Sequence, residues 1–247
     1  MEAYGNFAAV YDRLMDDFNY PAWADYYLRI VRKAGVEPKN ICDCACGTGS
    51  LSVEFARRGL KVTGVDISQD MLELAAQKAR KNGVMLPFVC QDMCKLQLPR
   101  KVDALICGCD GVNYLTTDAR VLAFFQAAHA QIKPGGVLAF DVSTGAKLLT
   151  MPGNVYAEDR DEVTWVWFTE AEEDRKVRMD IAFFLKDESG LYERFDEEQL
   201  QRAHTPEELT AALEKAGFTD IRIYGDRTYE PPKADEKRMH ITAVKAK

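Results

Sequence analysis

Apolar positions along the chain follow two periods. Between Trp23 and Ala34 they recur at helical spacing through Tyr26, Tyr27, Ile30 and Val31. Pro21 suits the first turn of that helix and Gly35 its stop. Short apolar runs follow at 40–45, 61–65, Leu86–Cys90, Val102–Cys107 and Val137–Val142. Runs of this length and composition predict strands buried on both faces. Helical patterns lie between them. One spans about 49–58, with Leu51, Val53, Phe55 and Ala56. The next is Gln69–Asn82, capped by Ser68 and ended by Gly83. Ala119–Ile132 places Leu122, Phe125, Ala128, His129 and Ile132 on one side. Pro134-Gly135-Gly136 predicts a turn before the fifth strand. The order β-α-β-α-β-β-α-β predicts a parallel sheet covered on both faces.

The pattern changes after residue 150. Thr164–Thr169, Val177–Lys186 and Leu191–Phe195 read as short strands of an antiparallel insert. The acidic cluster Glu170–Asp174 reads as a solvated turn between two of them. Thr205-Pro-Glu-Glu208 forms a capping box for a helix that runs to Lys215 and stops at Gly217. Ile221–Tyr224 and Met239–Lys245 are two closing strands. The expected division is an N-terminal lid and helix at 1–35, a core at 36–150, the β insert at 151–203, and the rest of the core at 204–247.

The 247 residues are 47% hydrophobic, enough for one large α/β domain. A net charge of −7 argues against a broad nucleic-acid footprint, which needs clustered Lys and Arg. No apolar run reaches the roughly 18 residues of a membrane span. The opening Met1–Phe7 lacks the basic-then-apolar order of a secretory leader, so the expected location is cytoplasmic. Seven cysteines lie between Cys42 and Cys109. Cys42, Cys44 and Cys46 alternate and would share one face of an extended strand. Neither they nor Cys90/Cys94 and Cys107/Cys109 give the paired C-x2-C spacing of a zinc site. They read as reduced, small buried hydrophobes, and no metal is expected.

Candidate chemistry starts at Ile41-Cys-Asp-Cys-Ala-Cys-Gly-Thr-Gly-Ser-Leu51, a strand that ends in a glycine-rich turn and feeds a helix. Gly47 and Gly49 remove side chains where backbone must approach a ligand. Asp66 ends the next strand, and a glycine turn followed by such a carboxylate is an adenosine-binding layout. The dinucleotide fingerprint G-x-G-x-x-G is not met: Ser52 stands at the third glycine, and the first comes late in the turn.

Ile41–Gly49, Gly64-Val-Asp66-Ile-Ser68, Val89-Cys-Gln-Asp92-Met93 and Ile132-Lys-Pro-Gly-Gly136, in that order, resemble the class I S-adenosylmethionine (SAM)-dependent methyltransferases. The resemblance covers about 36–150 and the closing helix and strands. The opening Tyr4-x-x-Phe7-Ala8-x-x-Tyr11-Asp12, with Tyr20 and Trp23, looks like the small-molecule, YqeM-type bacterial branch. This implies a Rossmann-like, mostly parallel sheet of seven strands in the order 3-2-1-4-5-7-6, strand seven antiparallel, with helices on both faces and a small antiparallel β insert. Ala45 departs from the family, which often has glycine there; the smallest side chain should preserve the turn.

The resemblance implies a cofactor site at Ala45, Gly47, Gly49, Asp66, Ile67, Met71, Asp92, Met93 and Cys109. Asp66 would take both ribose hydroxyls, Ile67 the adenine face, Asp92 the adenine amino group and the Met93 N–H a ring nitrogen. Asp43 would lie near the ammonium. Tyr4 or Tyr11, on a lid, would face the sulfonium. The acceptor would meet Asp110, Asn113 and Tyr114, with Asp110 attracting an amine or taking its proton. The N/D-P-P-Y/F motif of many amide and base N-methyltransferases is missing. Arg202 and His204 lie where the insert returns, Arg202 as a substrate contact and His204 as a candidate general base. Trp165, Trp167 and Phe168 alternate too imperfectly for an aromatic cage and are expected to pack within the insert.

The expected function is methyl transfer from SAM to nitrogen or oxygen of a small-molecule acceptor, leaving S-adenosylhomocysteine (SAH). Two alternatives remain. A tRNA or rRNA methyltransferase would need a basic surface, and Arg57/Arg58, Lys78–Lys81 and Lys95–Lys101 are scattered. A regulatory protein would bind SAM and transfer nothing.

Overall fold

The computed structural model describes residues 10–12, 14, 18–187 and 189–247. Its centre is β1 (Asn40–Cys44), with β2 (Lys61–Asp66) and β3 (Phe88–Cys90) on one side. On the other side lie β4 (Val102–Cys107) and β5 (Ile132–Ser143). The sheet ends with β11 (Arg238–Lys245) and β10 (Phe218–Gly225), giving the order β3-β2-β1-β4-β5-β11-β10. β11 is antiparallel to both its neighbours, and the other pairs are parallel. Both the order and the reversed seventh strand match the family's fold.

Period two explains how this sheet fills two cores. Cys42, Cys44, Leu105, Cys107, Leu138 and Phe140 point to one face. The alternate residues Ile41, Ala104, Ile106, Val137 and Ala139 point to the other. Helix α1 (Tyr20–Lys33) covers the second face with Trp23, Tyr27, Ile30 and Val31, and Asn19 caps it by accepting from the Ala22 N–H. Helices α2 (Ser50–Arg57) and α3 (Gln69–Lys81) follow β1 and β2, as the periodicity predicts. Helix α4 (Asp118–Gln131) covers the first face with Val121, Phe124, Phe125 and Ala128. All seven cysteines are free thiols; Cys42, Cys44 and Cys107 are buried, and Cys90 is exposed.

After the short helix α5 (Gly145–Leu148) comes a second, antiparallel sheet. Its strands are β6 (Val155–Asp159), β7 (Val163–Glu172), β8 (Lys176–Lys186) and β9 (Tyr192–Arg202), paired in chain order. Three differences from the sequence expectation stand out here. β6 is solvent-exposed throughout, so it has no apolar run to announce it. β9 extends past Phe195 to Arg202 through a polar stretch whose strand character comes only from pairing with β8. Glu170 and Glu172 belong to β7, and both make ion pairs with Arg178. In the main sheet, Pro134–Gly136 lies within β5 rather than in a separate turn, where the register with β4 shifts. Helix α6 (Pro206–Lys215), with its capping box, returns the chain to the first core through Leu209 and Leu213.

Candidate active site

The turn after β1 holds Ala45, Gly47 and Gly49 at φ of 55°, 53° and 73°. Gly49 is required twice over, because an added Cβ would also come within 2.8 Å of Ala75 Cβ. Ala45 carries its left-handed conformation with a side chain, at a cost of about 1 kcal/mol. Asp66 braces the turn from β2: Oδ2 accepts from the Gly47 N–H at 2.8 Å, and Oδ1 from the Ser68 N–H at 3.0 Å. Burial raises its pKa, against the pull of those two hydrogen bonds. Asp43 is fully buried and accepts from Ser52 Oγ at 2.5 Å. Burial pushes it up to about 7.

Asp43 and Asp66 line a cleft of about 910 Å³, open mouth included, and Gly49 stands just behind its lining. Ala45, Gly47, Ile67, Met71, Met93 and Cys109 line it too. Ile67 is 60% exposed, an apolar side chain left beside a carboxylate as a flat-ring contact would require. Asp92 lies in an adjoining recess with Asp66, Ile67 and Met93. Its carboxylate accepts from the Cys94 N–H and pairs with Arg120. A carboxylate below a glycine turn, an exposed apolar face and a buried carboxyl beside the turn together fit an adenosine bearing an amino acid.

Tyr11 and Asp12 stand on one side of the cleft. Asp12 Oδ1 accepts from Thr48 Oγ1 at 2.6 Å and from Lys78 Nζ at 2.7 Å. Lys78 also donates to Thr48 Oγ1 and Ser50 Oγ, at 2.8 and 2.6 Å. Tyr11 lines the cleft, and burial raises its pKa well above the ordinary value. Tyr4 lies outside the described residues.

A second cavity, about 1130 Å³ with its open mouth included, lies between the first sheet and the inner face of the second. Tyr11, Cys109 and Tyr114 line both cavities and mark where they meet. Trp165, Trp167 and Phe183 wall the second one, and Asp110, Lys147 and Arg238 form its polar end. Trp165 and Trp167 pack within the insert, as expected, and also line the cavity, while Phe168 points outward.

Asp110 is not a free base. Arg238 takes both its oxygens, at 2.5 and 2.9 Å, and Ser143 Oγ donates to it at 2.9 Å. The guanidinium holds its carboxyl low against the effect of burial. Asp141, at the end of β5, organises the same loop. It accepts from Tyr27 Oη, from the Cys109 N–H at 2.7 Å, from the Asp110 N–H at 3.2 Å and from Arg238. Cys109 and Asp110 both have positive φ, so a fixed acceptor is needed to hold them.

Three expected contacts sit elsewhere. Asn113 is fully buried, with Nδ2 donating to the carbonyls of Ser143 and Arg202 and Oδ1 accepting from the Ser143 N–H. Arg202, 3% exposed, pairs with Asp118, Asp174 and Glu208. His204 is buried against the Val112 carbonyl, and burial lowers it to about 4. None of the three lines either cavity. They brace the segment after β4 against the returning β9. Lys78, Asp141, Lys147, Gln199, Gln201 and Arg238 were not foreseen, because their significance depends on which strands meet.

This sheet, with its glycine turn and carboxylate at the ends of adjacent strands, is that of a class I SAM-dependent methyltransferase. Residues 41–136 match a family model described as a methyltransferase domain. The chain is 34% identical to the Bacillus subtilis (strain 168) protein named "Putative methyltransferase YqeM", over 99% of this chain and 98% of the relative. A crystal structure of a SAM-dependent methyltransferase from Clostridium acetobutylicum ATCC 824 superposes with a TM-score of 0.89 at 30% identity, covering 99% of both chains. SAM-bound CalS10, an amino pentose methyltransferase from Micromonospora echinaspora, superposes with a TM-score of 0.73 at 26% identity, covering 92% of both. The chain belongs to this YqeM-like family of SAM-dependent methyltransferases.

Proposed function

We propose that the protein moves the methyl group of SAM to a nitrogen of a small-molecule acceptor held between the two sheets. The observation that carries this reading is the junction of cleft and chamber at Tyr11, Cys109 and Tyr114. An acceptor in the chamber would meet a cofactor in the cleft only there.

The cofactor supplies an already activated methyl on a sulfonium. In this reading Asp66 accepts from the ribose hydroxyls, Ile67 covers the adenine, and Asp92 and the Met93 N–H serve its edge. Asp43 faces the cationic amino-acid end, and the turn at Ala45, Gly47 and Gly49 admits it closely. Tyr11 and Tyr114 align the nucleophile and exclude water, which is most of what such a displacement needs.

Nitrogen is favoured over oxygen by the protonation of the site. Asp110 is committed to Arg238, His204 is outside the chamber, and Tyr11 keeps its proton. A hydroxyl acceptor needs a base at the reacting atom, whereas an amine needs only to arrive with its lone pair. CalS10, similar over nearly the whole chain, is named for an amino pentose. The chamber's place beneath the second sheet, walled by Trp165, Trp167 and Phe183, supports a compact acceptor over RNA.

Incubation with methyl-labelled SAM and a protein- and RNA-free metabolite extract tests the reading. A labelled amine is the expected product. No labelled small molecule from the extract, with label instead entering RNA offered in a parallel incubation, would defeat it, as would label in no product.

A further inference from the structure

The chamber holds polar groups that alignment of the methyl group does not use. The Trp167 indole Nε1–H, on β7, is buried with no hydrogen-bond partner among the described residues. Gln199 and Gln201, on β9, line the same chamber and are only 8% and 7% exposed. Gln199 Oε1 accepts from Tyr114 Oη at 2.8 Å, and its amide N–H groups have no described partner. The Gln201 side-chain amide has none at either end.

Pairing explains why they gather. Thr169, Met179 and Gln199 form one cross-strand row, and Ala171, Val177 and Gln201 the next. Trp167 stands one row away on the same face and packs against Val177 and Met179. A buried donor without a partner costs about 1–3 kcal/mol. The Trp167 N–H is one such donor, and the two glutamine side chains that line the same chamber add further hydrogen-bonding groups that a ligand can satisfy.

Charge defines the chemistry of that ligand. Lys147 and Arg238 line the chamber but are matched by Asp110 and Asp141. Glu158 is matched by Arg160. No described cation is left over to bind a phosphate or carboxylate. Trp165 and Phe183, paired across β7 and β8, give an apolar wall beside the donors.

We propose that Trp167, Gln199 and Gln201 form the specificity site for the acceptor. Trp167 Nε1–H and the two amides hydrogen-bond uncharged oxygen substituents, hydroxyl or carbonyl, on a compact molecule whose nitrogen points to Tyr11 and Tyr114. This rests on methyl transfer occurring in the chamber. An analogue lacking those oxygens leaves the donors unpaired and is rejected more strongly than one differing by a methylene.

Trp167→Phe keeps a ring and removes the N–H; Gln201→Leu keeps the bulk and removes the amide. Both are compared with wild type, using methyl-labelled SAM and the metabolite extract, with SAH binding by calorimetry reporting an intact cofactor cleft. Each variant is expected to bind SAH within about twofold of wild type. With the acceptor that wild type labels, each is expected to lose about tenfold in kcat/KM, mostly through KM. Equal labelling by wild type and both variants overturns the specificity site and leaves the methyl-transfer reading standing. No labelled product from wild type overturns both. A labelled acceptor with no uncharged oxygen substituent also overturns the site.

Discussion

Asp66 and Asp43 end neighbouring strands but carry charge differently. Asp66 has two backbone N–H donors and one side open to the cleft, so its carboxylate serves both the turn and a ligand. Asp66→Ala is expected to weaken SAM binding at least about tenfold, since hydrogen bonds to a charged group are worth roughly 1.5–3 kcal/mol. Unchanged affinity by calorimetry would remove the ribose assignment. Asp43 has one hydroxyl donor, and burial pushes it up to about 7. An unfolded aspartate titrates near 3.9, so the native state holds this proton more tightly between the two values. Its contribution to stability is complete below about pH 4 and lost as pH rises through about 7. The thermal midpoint of the ligand-free protein should fall across that window, and Asp43→Asn should flatten the fall. A wild-type profile parallel to that of the variant would refute the shift. The glycine turn and Asp66 were legible in the sequence because both are local: a strand end and the residues that follow it. The state of Asp43 was not, because burial depends on the strands beside it.

The elements were legible where a regular apolar period met a cap or a stop, as in α3 between Ser68 and Gly83 and α6 with its capping box. They were illegible where pairing alone makes the strand, as in β6 and the end of β9. Contacts between elements carry two further expectations. An added Cβ at Gly64 would lie 2.5 Å from Phe88 Cδ1 and 3.1 Å from Cys46 Sγ, so β2 and β3 can close only over glycine. Gly64→Ala should cost about 1–3 kcal/mol. A thermal midpoint equal to that of wild type would show that Phe88 moves aside freely. Lys78 ties α3 to the glycine turn and to Asp12 of the N-terminal segment. Lys78→Met should speed SAH release by about fivefold, the equivalent of roughly 1 kcal/mol, with little change in the thermal midpoint. Unaltered release in stopped-flow fluorescence would show that the tie does not hold the cleft shut.

Across the whole molecule, Asn113, Arg202 and His204 join the second sheet to the first. Arg202 reaches three carboxylates from α4, the β7–β8 turn and α6. Arg202→Met should lower stability by about 2 kcal/mol while SAH affinity of the folded protein stays unchanged. A large loss of affinity without loss of stability would instead return Arg202 to the site.

The sequence by itself determined the parallel core, the glycine turn, the carboxylate after β2 and hence the cofactor class. Those features repeat at fixed spacing along one stretch of chain. Only the tertiary structure decided that Asp110 is bound by Arg238, that His204 is walled off, and that Trp167, Gln199 and Gln201 line one chamber. Each depends on residues far apart in sequence whose meeting is set by strand pairing and by the packing of one sheet over the other.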